Sequence, residues 1–430
     1  MKIAVIGAGS FVFGTSILSE LTLNHKLDGV DVALMDVDRE ALFLMAGVGQ
    51  RMADEAGLTG TRVTAETDRA KAIDGAEFVL NAAAPQMARR FTTDCEIIER
   101  HLPGHIVTEF GGVVGISYSL RQIAFIRGLT EEMQRLCPGA WLLDVANPMP
   151  RVCQAANMLG VKTAGFCSAA LEGYAMLWHL FTGERIGYPY QPARQRWEVL
   201  MGGLNHFSWV LKLTDRESGK DLLPAIRERL ATGASTGWPI SDEISKQTGF
   251  LLVPNDHHTQ DFLPPMRPEL SRGTTWHGST DERQRRMKTL RDISEGKTAL
   301  HEVTRQGSWE KPADLIAAAT TGRESHLEML NLVNTGQVPE LPRGIFVETP
   351  CRCTPAGPVA ENIELPPAVA DHCRRVADQT DTVVHAGLQR KRELVYHAVE
   401  LDPTIIDKAA GRAAIDEVLT AHADMLGEFS

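Results

Sequence analysis

The sequence predicts an α/β fold, with a helix-covered parallel sheet in the N-terminal half and a mixed α/β arrangement after it. Three observations carry this. Short β-rich runs alternate with longer helical stretches as far as residue 185. The first of those runs turns directly into glycines. Beyond Arg185 the chain changes character, passing through the Pro- and Tyr-rich GYPYQPARQ before new strand-like runs begin.

Taken in order, Lys2–Ile6, Asp31–Met35, Phe78–Asn81, Trp141–Ala146 and Lys162–Cys167 are the predicted strands of the first half. Strands separated by helical stretches pair in parallel, because the crossover helices cover the faces of the sheet. The run Arg196–Lys212 predicts further strands, and Asp281–Glu295, Glu324–Asn334, Ala368–Leu388 and a C-terminal stretch from about Ile415 predict helices. The composition shift puts a domain boundary near Tyr190, giving domains 1–190 and 191–430.

Of 430 residues, 43% are hydrophobic and 23% charged, so the chain can bury ordinary cores without staples. The net charge of −11 comes without any long basic run, which argues against nucleic acid and anionic membranes as partners. Seven scattered cysteines (Cys95, Cys137, Cys153, Cys167, Cys351, Cys353, Cys373) are odd in number and too sparse for a secreted disulfide framework. A reducing, cytoplasmic setting is expected. The opening MKIAVIGAGS reads as a buried first strand, since its apolar run is too short for a leader and no stop-transfer helix follows.

Ile3–Ile6 leads into Gly7-Ala8-Gly9-Ser10, and a helix-compatible stretch starts soon after. A strand, a tight turn and a helix N-terminus form the seat of a pyrophosphate in a Rossmann-type domain. The third glycine of the usual fingerprint is displaced, with Val12 at its spacing and Gly14 two residues late. Asp36 closes the second strand, where its carboxylate accepts from ribose hydroxyls and repels a 2′-phosphate, so NAD is expected rather than NADP. Asp38 reads as a solvated turn residue. Asn81 ends the next strand ahead of three alanines that allow a cofactor to lie close to the backbone.

In open parallel sheets ligands bind beyond the carboxyl ends of the strands. Two of those ends carry Asn147-Pro148-Met149 and Cys167, and His206 lies in GGLNHF at the opening of the second domain. By itself a buried Cys is most often an inert small hydrophobe. A thiolate with an imidazole is nevertheless a sufficient start for a divalent transition ion. The segment Asn255-Asp256-His257-His258-Thr259-Gln260-Asp261-Phe262-Leu263-Pro264 adds imidazoles and carboxylates suited to proton transfer, and its apolar end suggests a loop folded inward.

Together GAGS, NPM, GFC, GGLNHF, DHHTQDFLP, the Leu341-Pro342 and Val347-Glu348-Thr349-Pro350 segments and Leu401-Asp402-Pro403 resemble glycoside hydrolase family 4. These are NAD- and metal-dependent glycosidases, and the likeness is greatest to the α-galactosidase, α-glucosidase and α-galacturonidase branch. The resemblance implies a C-terminal mixed α/β domain of the type shared by lactate and malate dehydrogenases and family 4 glycosidases. It implies that Cys167 and His206 ligate the metal, Mn²⁺ by likeness, with other divalent transition ions compatible on ligand softness. It gives Asn147 to the sugar hydroxyls and Asp256 and His258 to proton transfer, with Asp261 on the same loop as a substrate contact. Glu109, ahead of Gly111-Gly112, falls near an acidic family position. Ser168 stands where many members carry His, Asp or Asn beside the substrate. A homodimer or homotetramer is expected.

The implied reaction explains why a hydrolase would need NAD: oxidation at C3 acidifies the C2 proton, whose loss expels the C1 substituent. Water then adds, and the hydride returns. The substrate that the resemblance implies is an α-linked, unphosphorylated hexoside or hexuronide. The alternative is an NAD-dependent dehydrogenase of the lactate or malate type acting on a sugar or hydroxy acid, for which Arg89 and Arg90 lie near the loop that carries substrate arginines. A non-catalytic NAD sensor has no use for Cys167, His206 and Asp256 together.

Overall fold

The apolar strands of the first half are buried on both faces. Ile3 and Val5 point into one core with Leu18, Leu42 and Met45, while Ala4 and Ile6 point into another with Ile123, Ile126 and Val152. The period of two sends successive side chains to opposite faces, so both must be covered by helices. In the computed structural model, which describes residues 1–11, 13–266, 280–304 and 310–430, these strands form the parallel part of one large sheet.

The strands are β1 (Lys2–Ile6), β2 (Asp31–Met35), β3 (Arg62–Glu66), β4 (Phe78–Asn81), β5 (Trp141–Asp144) and β6 (Lys162–Gly165). They pair in parallel in the order β3-β2-β1-β4-β5-β6, which is the Rossmann arrangement. The second half supplies β7 (Trp197–Leu204), β8 (Phe207–Asp215), β9 (Leu252–Val253), β10 (Ser325–Val333), β11 (Phe346–Thr354) and β12 (Gly357–Ala360). These continue from β6 in the order β10-β11-β7-β8-β9, antiparallel throughout, with β12 on β11.

One predicted helix is a strand. Glu324–Asn334 contains good helix formers, yet Ser325–Val333 is β10, lying between β6 and β11 with Met329, Leu330, Asn331 and Leu332 buried. A β-bulge between Leu327 and Leu330 breaks the period-two alternation that would have identified it. Strand β3 went unpredicted because RVTAE is a polar edge strand. The helices Thr280–Ser294, Pro367–Gln389 and Lys408–Ala421 lie where helices are expected, the last beginning earlier than Ile415. Among the described residues no helix is long and apolar enough to cross a membrane.

One pairing joins the halves and a second carries the connection onward to β7. Gly165 of β6 pairs with Asn331 of β10, and Glu348 of β11 pairs with Gly203 of β7. Asn331 and Glu348 are themselves partners, so one row of residues runs from the carboxyl end of β6 to the end of β7. That row brings the β7–β8 turn, Asn205-His206, beside Cys167.

Candidate functional site

The turn after β1 is tight because its glycines have no room for side chains. Gly7 has φ +81°, and a Cβ there would lie 2.7 Å from the Ala83 backbone beyond β4. A Cβ on Gly9 would lie 2.9 Å from Asp36 Oδ2, which accepts a 2.8 Å hydrogen bond from Gly9 N–H. Gly14 opens its helix with the Ala8 carbonyl 2.5 Å from where its Cβ would be, so close strand–helix packing falls to Gly14. Val12 lies outside the described residues. Ser10 accepts from Phe13 N–H, and the other Asp36 oxygen accepts from Asp38 N–H. Asp38 is more than a solvated turn residue, since it caps the helix Arg39–Glu55 through Ala41 N–H and pairs with Arg283. The bare turn and the carboxylate at the end of β2 suit a dinucleotide's pyrophosphate and ribose.

At the end of β6, Cys167 Sγ lies 3.5 Å from His206 Nε2. The two donor atoms are close enough that one divalent ion could be held by both. The chemistry of the donors fits as well. Burial pushes the Cys167 thiol far up, with Glu348 and Glu310 adding to it, so the thiolate needs a cation beside it. Burial, with His258 next in effect, holds His206 well below the usual imidazole range, leaving a neutral ring with a lone pair.

His206 is held by its surroundings. Its φ of +59° is costly for a residue with a Cβ. Next to it, the buried Glu348 carboxylate accepts from Asn205 Nδ2 at 3.2 Å, Ser208 Oγ at 2.8 Å and Asn331 Nδ2 at 2.8 Å. Those three donors clamp the turn from both sides. Phe110 packs its ring 4.8 Å from the His206 ring, and the buried Arg151 lies 5.7 Å from the Phe110 ring on another side. His258 covers His206 with ring centroids 4.3 Å apart.

Two loops close in on this pair. In the first, Glu109 Oε2 accepts from Asn147 Nδ2 at 2.6 Å, and burial raises the Glu109 carboxyl to about 7 even though that bond opposes it. The backbone carbonyl of Asn147 accepts from Gln122, which also reaches the Ala83 carbonyl and so ties the ends of β4 and β5 together. In the second loop, Asp261 is buried and accepts from Phe110 N–H at 3.2 Å, while its own carbonyl lies 2.5 Å from where a Cβ on Gly111 would be. Glycine at 111 is what lets the loops touch.

The structure therefore brings Cys167, His206 and His258 together, and pairs Glu109 with Asn147 on the loop whose Phe110 packs against His206. Asp256 is differently employed. It accepts from Ile240 N–H, Ser241 N–H and Ser241 Oγ at 2.8–2.9 Å, capping the helix Pro239–Thr248. Asn81 is also committed: its Nδ2 donates to the buried Asp144 at 2.6 Å and its Oδ1 accepts from Ala83 N–H. Ser168 donates to Glu310 at 3.1 Å, on the side facing a cavity of about 290 Å³ that Cys167 also lines. Arg90, one of the two arginines offered for the dehydrogenase alternative, is buried against Asp424 and His422. Sequence reasoning missed the clamp at Glu348, the Asn205 beside the metal-ligating candidate and Glu310; a lone Glu amid the apolar FVETPC was the one signal for the first.

The described helices and strands agree with what comparison finds. The profile for "Family 4 glycosyl hydrolase" matches residues 2–178, and that for "Family 4 glycosyl hydrolase C-terminal domain" matches residues 201–405. An α-galactosidase of Bacillus subtilis is 27% identical, covering 100% of this chain and 99% of its own. An α-galacturonidase of the same organism is 26% identical over 97% of each. The fold matches that of a 6-phospho-α-glucosidase from gut microorganisms in complex with NAD and Mn²⁺, with a TM-score of 0.76, 18% identity, and coverage of 100% of this chain and 99% of the other.

Proposed function

The chain belongs to family 4 of the glycosyl hydrolases, and from that premise we propose that it is a cytoplasmic glycosidase using NAD and a divalent ion, foremost Mn²⁺, on α-linked, unphosphorylated hexosides or hexuronides. The single observation that carries the reading is the 3.5 Å approach of Cys167 Sγ to His206 Nε2 at the carboxyl end of the parallel sheet. When bound, NAD supplies reversible hydride transfer at C3 of the sugar and the ion supplies Lewis-acid polarisation of the oxygens on C2 and C3.

In this reading the chain's own residues bind, orient and move protons. Gly7, Gly9 and Ser10 cradle the pyrophosphate, Asp36 accepts from the ribose hydroxyls, and Asn81 shapes the pocket from the end of β4. Cys167 and His206 hold the ion. Asn147 orients the sugar and sets Glu109, whose buried carboxyl carries a proton near neutrality and can deliver it to the departing oxygen. His258, whose ring packs tilted against His206, is the group we assign to take a proton from C2. Asp256 acts from behind, fixing the turn that carries His258; it follows from its three donors that its part in proton transfer is indirect. Ser168 and Asp261 complete the substrate surface, Ser168 directly and Asp261 by holding the Phe110 loop.

The division at residue 190 is supported by the change from parallel to antiparallel pairing after β6, and the reducing setting by seven free cysteines. A homodimer or homotetramer is our expectation for the assembly. The experiment is turnover in deuterated water with NAD, Mn²⁺ and a thiol reductant present. Deuterium is expected at C2 of the released sugar with no net consumption of NAD. Hydrolysis with only protium at C2 rules the elimination route out, and stoichiometric NADH with oxidised sugar moves the assignment to a dehydrogenase.

A further inference from the structure

Glu348 stands where a carboxylate is costly. It lies in β11 between β10 and β7, opposite Asn331 on one side and Gly203 on the other, and it is fully buried. A buried charge needs a partner of opposite sign as well as hydrogen bonds. Asp94, equally buried, has such a partner, the Arg121 guanidinium 2.7 Å away. No Lys or Arg is paired with Glu348 among the described residues. Burial pushes its carboxyl up, opposed by three neutral side chains, Asn331, Ser208 and Asn205.

Those donors leave other groups bare. Asn205 and Asn331 both turn Nδ2 to Glu348 Oε1, at 3.2 and 2.8 Å, and the Oδ1 of each is buried without a partner. Unpartnered buried acceptors are unfavourable, so two amide oxygens go unsatisfied in order to solvate one carboxylate. What the cluster lacks is positive charge. The proposed ion site adjoins it, because Asn205 precedes His206 in the turn after β7 and its amide also bonds the Cys167 sulfur. After burial, Glu348 is the strongest influence raising the Cys167 thiol, while the His206 ring stays neutral, chiefly through burial. A thiolate at 167 and a carboxylate at 348 thus put two negative charges side by side, the match for one divalent ion.

We infer that Glu348 is an outer carboxylate of the metal site: without touching the ion, it supplies the second negative charge that a divalent ion on Cys167 and His206 requires, and Asn205 and Asn331 fix it there. The inference rests on the metal reading of Cys167 and His206, but its test needs no turnover. Mn²⁺ is titrated calorimetrically into the full chain with NAD present, for wild type, Glu348→Gln and the double variant Glu348→Gln/Asn331→Asp. Glu348→Gln keeps the size of the side chain and an acceptor for Asn205 while removing the charge. Its Mn²⁺ affinity should fall about 10–100-fold, with NAD affinity unchanged. In the double variant the carboxylate moves to the neighbouring strand, where it accepts from the amide at 348, and Mn²⁺ affinity should return to within about threefold of wild type.

A Glu348 that is neutral beside the ion is equivalent to Gln, so equal Mn²⁺ affinity in wild type and Glu348→Gln overturns the inference. So does a double variant as weak as the single one, since the loss then belongs to altered packing rather than to charge. Should Glu348→Gln not fold, the double variant decides alone: affinity near wild type supports the charge role, and a folded protein weaker by about tenfold or more refutes it. Cys167→Ser separates this inference from the reading beneath it. If that variant binds Mn²⁺ as wild type does, the metal reading falls and takes the inference with it. If Cys167→Ser loses Mn²⁺ while Glu348→Gln keeps it, the metal reading stands and only the outer carboxylate is lost.

Discussion

Replacing Glu109 with Gln removes a proton carrier without removing its hydrogen bond, because a Gln Oε1 still accepts from Asn147 Nδ2. Burial lifts the wild-type carboxyl from its ordinary 4.5 to about 7. At pH 6 about nine in ten molecules then carry the proton, and at pH 8 about one in ten. If Glu109 acts as the acid, kcat/KM should fall about tenfold per pH unit above that value, and Glu109→Gln should lose about 10²–10⁴ in rate together with the alkaline limb. NAD binding should be untouched. Stability gives a second reading of the same group. A folded-state pKa raised above the unfolded one favours the native protein at low pH, and that advantage is lost as pH rises from 4.5 towards 7. Over this window the wild type should lose about 3 kcal/mol more than Glu109→Gln. Parallel pH–rate and pH–melting series on the two proteins measure both effects. A variant that keeps wild-type kcat/KM and the same alkaline limb refutes the reasoning, whatever its melting behaviour.

Asp36→Ala should weaken NAD by about 1–3 kcal/mol and narrow its advantage over NADP, since the carboxylate both accepts and repels; calorimetry with the two cofactors decides, and equal wild-type affinities would contradict the ribose assignment. Chelation, Cys167→Ser or His206→Ala should each abolish turnover while NAD still binds. Full activity of Cys167→Ser after exhaustive chelation removes the metal site. Glu348→Ala should cost about 3–5 kcal/mol, because it strips the shared acceptor from Asn205, Ser208 and Asn331 in a buried site, and Glu348→Gln should cost less. Denaturant titration checks the order, and an unchanged midpoint in Glu348→Ala would mean that the clamp carries no load.

The parallel half of the fold was legible because its signals are local. A β-rich run followed by glycines, or one ending in Asp36, needs only its neighbours to be read, and β1, β2 and β4 form over the residues expected. Local signals also singled out Cys167, His206 and the 255–264 loop as candidates, and the family resemblance gave the first two their expected metal-ligating role. The tertiary structure decided what those residues do to one another. Whether Cys167 and His206 meet depends on the row Gly165, Asn331, Glu348, Gly203, whose members are far apart in sequence. Asn331 belongs to the very segment whose Leu, Met and Glu content imitates a helix, because helix propensity is weak beside burial between two strands. In the same way Asp256 and Asn81 carry the polar side chains a site needs, yet the backbone N–H groups and carboxyls that claim them come from other elements. Hydrogen-bond donors must be satisfied wherever folding buries them, and which donors arrive is a property of the packed chain rather than of any segment within it.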